Sequence, residues 1–208
     1  MPCVVIDFYI APGSTITDAQ FREHVRWVNR IWKVGAGIDI RYRFRDPADS
    51  SRIVRVPVDG PVVLPDQTFP CEFTVFEDLP ENFQADLDSR PYGTGPWPEP
   101  NEVDIAVFYI NGPITLDNGT IVQGCAPIWS PNIYSPSILI ANPRDNVLSN
   151  SPLILAHELG HVFGLDHFFD QEHVNNIMHI PLINNVSTQL TQKQINDAYN
   201  SISDLPDC

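Results

Sequence analysis

The segment His157-Glu158-Leu159-Gly160-His161-Val162-Phe163-Gly164-Leu165-Asp166-His167 restricts this chain more than any other. Before it, Leu153-Ile154-Leu155-Ala156 is apolar, and Ser151-Pro152 offers a helix start, with Ser at the N-cap and Pro in the first turn. A helix that is apolar nearly all round belongs in an interior. Polar side chains on such a helix need partners, because burying them unpaired is costly. His157 and His161 are four residues apart and share one helix face. Gly164 admits a positive φ, which ends the helix sharply and lets His167 swing back toward the other two.

Three neutral imidazoles and a water make an open tetrahedral site, the pattern of catalytic zinc. A structural zinc is closed by four protein ligands. Imidazole also suits zinc better than magnesium or calcium, which prefer oxygen. Glu158, beside the first histidine, is placed to reach a water on the metal. The bland alternative is a helix surface that happens to carry histidines. It is weakened because three of the six histidines fall in this one stretch.

The extended pattern HExxHxxGxxH is followed by Asn176-Ile177-Met178-His179 in a turn-prone stretch. Together they resemble the metzincin metallopeptidases, which share this zinc signature and a later methionine turn. The resemblance is specific over about residues 150–203, where the end looks matrixin-like. The front half matches only in its strand–helix–strand order. The resemblance implies zinc ligands His157, His161 and His167, with Met178 as an apolar floor beneath them. It implies an upper subdomain over about 1–164, with a twisted sheet and two helices. A small lower subdomain follows over 165–208, and a substrate cleft lies between the two. An edge strand would hold the substrate chain extended, and Thr120–Ile128 is the candidate. Ile180 stands where some members carry a tyrosine ligand, so no such ligand is expected. No pro-segment motif is recognisable.

The rest of the chain reads as an α+β (mixed) domain: a twisted mixed sheet backed by helices, metzincin-like in outline. Cys3 to Ile10 is an apolar, β-prone strand. Thr17 and Gln20 form a capping box, and Phe21, Val25, Val28 and Trp32 make one apolar helix face ended by Gly35 and Gly37. Ile38 to Arg45 alternates as a strand with one buried face and one arginine-rich, solvated face. Further strands are expected at 53–58, 71–76, Val103–Ile110, Thr120–Ile128 and Ser137–Ala141. The Pro- and Gly-rich stretch at 91–98 is expected to be a loop. A last helix begins at a second capping box, Thr191 with Gln194, and Leu190, Ile195, Ala198 and Ile202 can pack on the core.

Lys plus Arg is 12 against 26 Asp plus Glu, a net charge of −14. That balance repels a phosphate backbone and an anionic membrane, so neither nucleic acid nor membrane is an expected partner. No apolar run reaches the ~20 residues of a membrane helix. Cys3, Cys71, Cys125 and Cys208 are far apart and make no CxxC pair. Two disulfides of open connectivity, in an oxidising compartment, are expected. That points to a secreted protein, although no basic, apolar, cleavable leader is seen in this chain. Acid-rich loops at Asp46–Asp49 and Asp86–Asp88 show no EF-hand spacing. They are read as solvated, with calcium as the alternative. Asp166 is read as a turn or solvent-facing residue, with a hydrogen bond to a ligand imidazole as the alternative. His179 is a candidate cleft residue, whereas His24 and His173 are read as surface residues.

The expected function is zinc-dependent endopeptidase activity on a protein or peptide substrate. The resemblance implies a metal-activated water with Glu158 as general base, and Gly164 and Met178 as structural support of the site. The alternative is a zinc-stabilised binding or adhesion module, or a peptidase latent in isolation. Substrate preference and oligomeric state are not written in the residues.

Overall fold

A computed structural model of the chain describes residues 3–10, 14–43, 54–55, 62–64, 105–110, 112–116, 119, 121–126, 137–141, 151–180 and 187–202. The expected strand at 71–76, the loop at 91–98 and the acid-rich loops at 46–49 and 86–88 lie outside these residues.

The main sheet is built around strand β1 (Cys3–Ile10). Val4, Val5, Ile6, Phe8 and Ile10 of β1 are all buried, so successive side chains are covered on both faces. A strand covered on both faces is what a parallel sheet requires. β1 pairs in parallel with β2 (Asp39–Arg43), with the two-residue β3 (Val54–Arg55) and with β5 (Ile105–Tyr109). β5 pairs in parallel with β9 (Ser137–Ile140). The two-residue β8 (Gly124–Cys125) runs antiparallel to β9 and ends the described sheet, in the order β2-β1-β5-β9-β8. A smaller sheet joins β4 (Val62–Leu64), β6 (Ile114–Leu116) and the short β7 (Ile121–Val122).

Helix α1 (Asp18–Val28) crosses between β1 and β2. Its capping box is formed as expected: the Gln20 N–H donates to Thr17 Oγ1 at 3.2 Å, and the Thr17 N–H donates to Gln20 Oε1 at 2.9 Å. The helix continues as a wider π turn over Asn29–Gly35. That turn directs Trp32 into the core, where it is wholly buried. Gly37 then takes φ +77° and turns the chain into β2.

Helix α2 (Ile154–Val162) carries the histidine segment and is buried along its whole length. It packs on α1, β8 and β9. Ser151 is not its N-cap. Residues 151–153 form a preceding turn in which the Ser151 carbonyl accepts from the Ile154 N–H at 3.0 Å, and α2 starts after Leu153. Helix α3 (Gln192–Ile202) closes the described chain. Ala198 and Ile202 are buried, with Leu190 and Ile195 packed against the same core. The Tyr199 hydroxyl donates to the Gly37 carbonyl at 3.1 Å, which ties α3 back to the end of the first helix. No described helix is long and apolar enough to cross a membrane.

Candidate metal centre

The centre is assembled from the end of α2 and the two turns that follow it. At that end the Leu165 N–H donates to the Gly160 carbonyl at 2.9 Å, and the Gly164 N–H donates to the His161 carbonyl at 2.8 Å. These two bonds, with Gly164 at φ +81°, are the paired contacts of a Schellman stop. A side chain at Gly164 would be strained by that φ and would meet Ser201 Oγ of α3. The stop turns the chain so that His167 faces the helix it has just left.

The ligand nitrogens of His157, His161 and His167 all lie within 4.8 Å of one another. His167 Nε2 is 3.1 Å from His157 Nε2 and 2.8 Å from His161 Nε2. The other ring nitrogens are held by backbone. His157 Nδ1 lies 2.8 Å from the Ile177 carbonyl, and His161 Nδ1 lies 2.8 Å from the Leu165 carbonyl. A carbonyl can only accept, so each Nδ1 carries the proton and each Nε2 presents a lone pair to the cluster. His167 Nε2 has at most one hydrogen to share between two such lone pairs. The set is therefore rich in acceptors and poor in donors, which suits a cation. Nitrogens about 2.0–2.1 Å from a tetrahedral zinc stand about 3.3 Å apart, near the 3.1 and 2.8 Å of the two His167 contacts.

Burial keeps the imidazoles neutral, as metal binding requires. It lowers His161 and His167 to about 4, with the His161 ring adding to the effect on His167. His157 is driven well below 6.5, first by burial and then by its His161 neighbour. Glu158 is buried too, and desolvation raises its carboxyl to about 8. Its carboxyl rests against β8: a Cβ on Gly124 would come within 2.5 Å of Glu158 Oε1. Only a glycine gives β8 this approach to the acid.

Met178 is wholly buried. It lies directly against Gly160, the helix residue between the two histidines, where a Cβ would run into its Sδ and Cε. The turn carrying Met178 is stitched to the ligand loop: the Phe168 N–H donates to the Met178 carbonyl at 2.8 Å, and the Ile180 N–H donates to the Phe168 carbonyl at 2.9 Å. Asn176 and Gln194 exchange amide hydrogen bonds of 2.7 and 3.1 Å behind that turn.

The structure thus brings together His157, Glu158, His161, Gly164, His167 and Met178. Asp166 is exposed, and the partners of His157 and His161 are backbone carbonyls instead. His24 is not a surface residue. It lies beside Phe21 on the buried face of α1, with Nδ1 3.0 Å from the Tyr109 hydroxyl. His173 is partly exposed, caps against Asp170 and stacks on Phe168, while His179 is buried. Ile180, without a ligating atom, is 37% exposed. Sequence reading missed Gly124, Gly160 and Asn176. A glycine between two ligands on a helix was the one available sign, because it implies a close neighbour.

No protein-family model and no curated protein sequence matches the chain. Solved structures do match it in fold. Metalloproteinase-II from Bacteroides fragilis aligns with a TM-score of 0.59 at 16% identity, over 97% of this chain and 53% of that one. Archaemetzincin from Methanopyrus kandleri aligns with a TM-score of 0.54 at 14% identity, over 96% of both chains. The chain therefore spans about half the length of the first structure and nearly all of the second. At such identities the likeness is one of fold: a mixed helix-and-sheet domain like those of metallopeptidase structures.

Proposed function

We propose that the chain is a zinc-dependent endopeptidase of the metzincin type. The observation that carries this reading is the convergence of three neutral imidazoles, each offering a ring nitrogen, beside the buried carboxyl of Glu158. The fold likeness to two metallopeptidase structures supports it.

His157, His161 and His167 would hold the zinc, which when bound supplies a Lewis acid for a carbonyl and a water of near-neutral pKa. The backbone carbonyls of Ile177 and Leu165 orient two of the rings and raise their basicity. Glu158 is the proton carrier. Its dry setting makes its carboxylate a good acceptor, and a cation at the three imidazoles pulls it back toward the ionised form. It takes a proton from the attacking water and returns it to the leaving amine. Met178 and Gly164 support the site from below and behind.

The same reading gives an upper subdomain over about 1–164 and a lower one over 165–208, the latter matrixin-like. β8, at the end of the described sheet and against Glu158, is the strand along which an extended peptide would lie. A secreted chain with two disulfides belongs to this reading. Neither of the described cysteines, Cys3 and Cys125, is free.

The test is cleavage of a diverse peptide library by the wild type and by Glu158→Gln, with chelator and with zinc restored. Chelator-sensitive cleavage by the wild type alone is the expected result. If the two proteins bind zinc equally and neither cleaves, the reading gives way to a zinc-stabilised binding module or a latent enzyme.

A further inference from the structure

We infer that the Asn176–Gln194 amide pair positions the first metal-ligand imidazole, through a single peptide unit. The inference rests on the zinc reading and adds to it two residues with no ligating role.

The Ile177 carbonyl and the Met178 N–H are two ends of one peptide group. The Met178 N–H donates to Asn176 Oδ1 at 2.9 Å. The Ile177 carbonyl accepts from His157 Nδ1 at 2.8 Å. A trans peptide points its N–H and C=O in opposite directions, so holding one end aims the other. Asn176 thus sets the direction in which the carbonyl meets His157.

Asn176 is itself held at both ends of its amide. Its Oδ1 accepts from Gln194 Nε2 at 3.1 Å, and its Nδ2 donates to Gln194 Oε1 at 2.7 Å. Gln194 cannot turn over to suit a changed partner, because its Oε1 also accepts from the Thr191 N–H at 2.9 Å in the α3 capping box. Asn176 cannot turn over either, since its Oδ1 serves the Met178 N–H. Both side chains are buried. The chain of contacts runs from the start of α3 through Gln194, Asn176 and the 177–178 peptide to His157. The N-terminus of the last helix thereby fixes the orientation of a ligand 37 residues earlier in the chain.

Gln194→Glu separates this role from simple capping. A glutamate at the third helical position keeps the bond from the Thr191 N–H, so the cap survives. It removes the donor to Asn176 Oδ1 and sets a carboxylate oxygen against it. Asn176→Asp is the second variant: it keeps the acceptor for Met178 and loses the donor to Gln194. For each full-length protein the zinc dissociation constant, the visible spectrum of the cobalt(II) form and the melting temperature of the metal-free form are measured. The expected result is affinity lower by about 10-fold or more, with an altered cobalt spectrum, beyond what any fall in the metal-free melting temperature accounts for. Unchanged affinity and spectrum in a folded variant overturn the inference and leave the zinc site standing. So does an affinity loss no larger than the lost fold stability accounts for. A wild-type chain that takes up no metal removes the zinc reading itself.

Discussion

Trp32 donates its indole N–H to the backbone carbonyl of Ala156 at 2.9 Å. The two residues are 124 positions apart, and Ala156 immediately precedes His157. Trp32 also meets Phe163 edge-on, with ring centroids 4.8 Å apart. The π turn after α1 therefore grips α2 at both its polar backbone and its apolar side. Trp32→Phe removes the hydrogen bond and leaves space beside Gly160. The bond is worth about 1 kcal/mol, because the Ala156 carbonyl keeps its helical partner. The lost packing brings the total to roughly 1–3 kcal/mol. Urea unfolding of the metal-free protein measures it, and a loss below about 0.5 kcal/mol would show that α2 holds its place without Trp32.

The approach of Gly124 to Glu158 gives a second expectation. A methyl group at position 124 displaces the carboxyl, since its Cβ would stand 2.8 Å from Glu158 Cγ. Gly124 lies at the end of the described sheet, and the ring N–H groups of His157 and His161 are held by Ile177 and Leu165. On the proposed peptidase reading, Gly124→Ala should lower turnover by about 10-fold or more, as small misplacements of a catalytic group do. Zinc content should stay at one per chain. Normal turnover in a zinc-loaded Gly124→Ala protein would mean that Glu158 is free to move aside without cost.

The histidine segment was legible because its chemistry is local. Two histidines on one helix face, and a glycine that reverses the chain, are fixed by backbone geometry within a few residues. Capping boxes at Thr17–Gln20 and Thr191–Gln194 were legible for the same reason. The N-terminus of α2 was not, because Ser151 and Leu153 settle into a turn before the helix begins. Strands β4 and β6, of three residues each, are too short to show alternation. His24 looked like a surface residue because its partner, Tyr109, is brought to it only when α1 packs on the sheet. Asn176 gave no sign for a similar reason: its task depends on Gln194, a partner on the last helix.

Metal removal should cost fold stability directly, because the site joins α2 to the loop that follows it. A ligand that binds only the folded chain adds about 2.7 kcal/mol at 100 times its dissociation constant. For a chain of this size that raises the melting temperature by roughly 5–10 °C. Scanning calorimetry with zinc and with chelator measures the shift, and His167→Ala should abolish most of it. A melting temperature indifferent to chelator in the wild type would count against a tight site.

Acid should destabilise the fold partly through His24, outside the metal centre. Burial lowers its imidazole from 6.5 to about 4 in the folded chain. Above pH 6.5 it is neutral whether folded or unfolded, so it adds no pH dependence there. As pH falls below 6.5 the unfolded chain takes up the proton first, and stability is lost until about pH 4, where the folded chain protonates as well. At 1.36 kcal/mol per unit the full loss is about 3 kcal/mol. His24→Asn keeps a polar atom near the Tyr109 hydroxyl and removes the titration. The three site histidines are also lowered and contribute to the acid slope of both proteins, so the difference between the two isolates His24. Urea unfolding of both metal-free proteins at neutral pH and near pH 4 is the measurement. The variant should lose about 3 kcal/mol less than the wild type between the two conditions. Parallel losses would mean that the His24 pocket admits the charged ring, with Tyr109 or water accepting its proton.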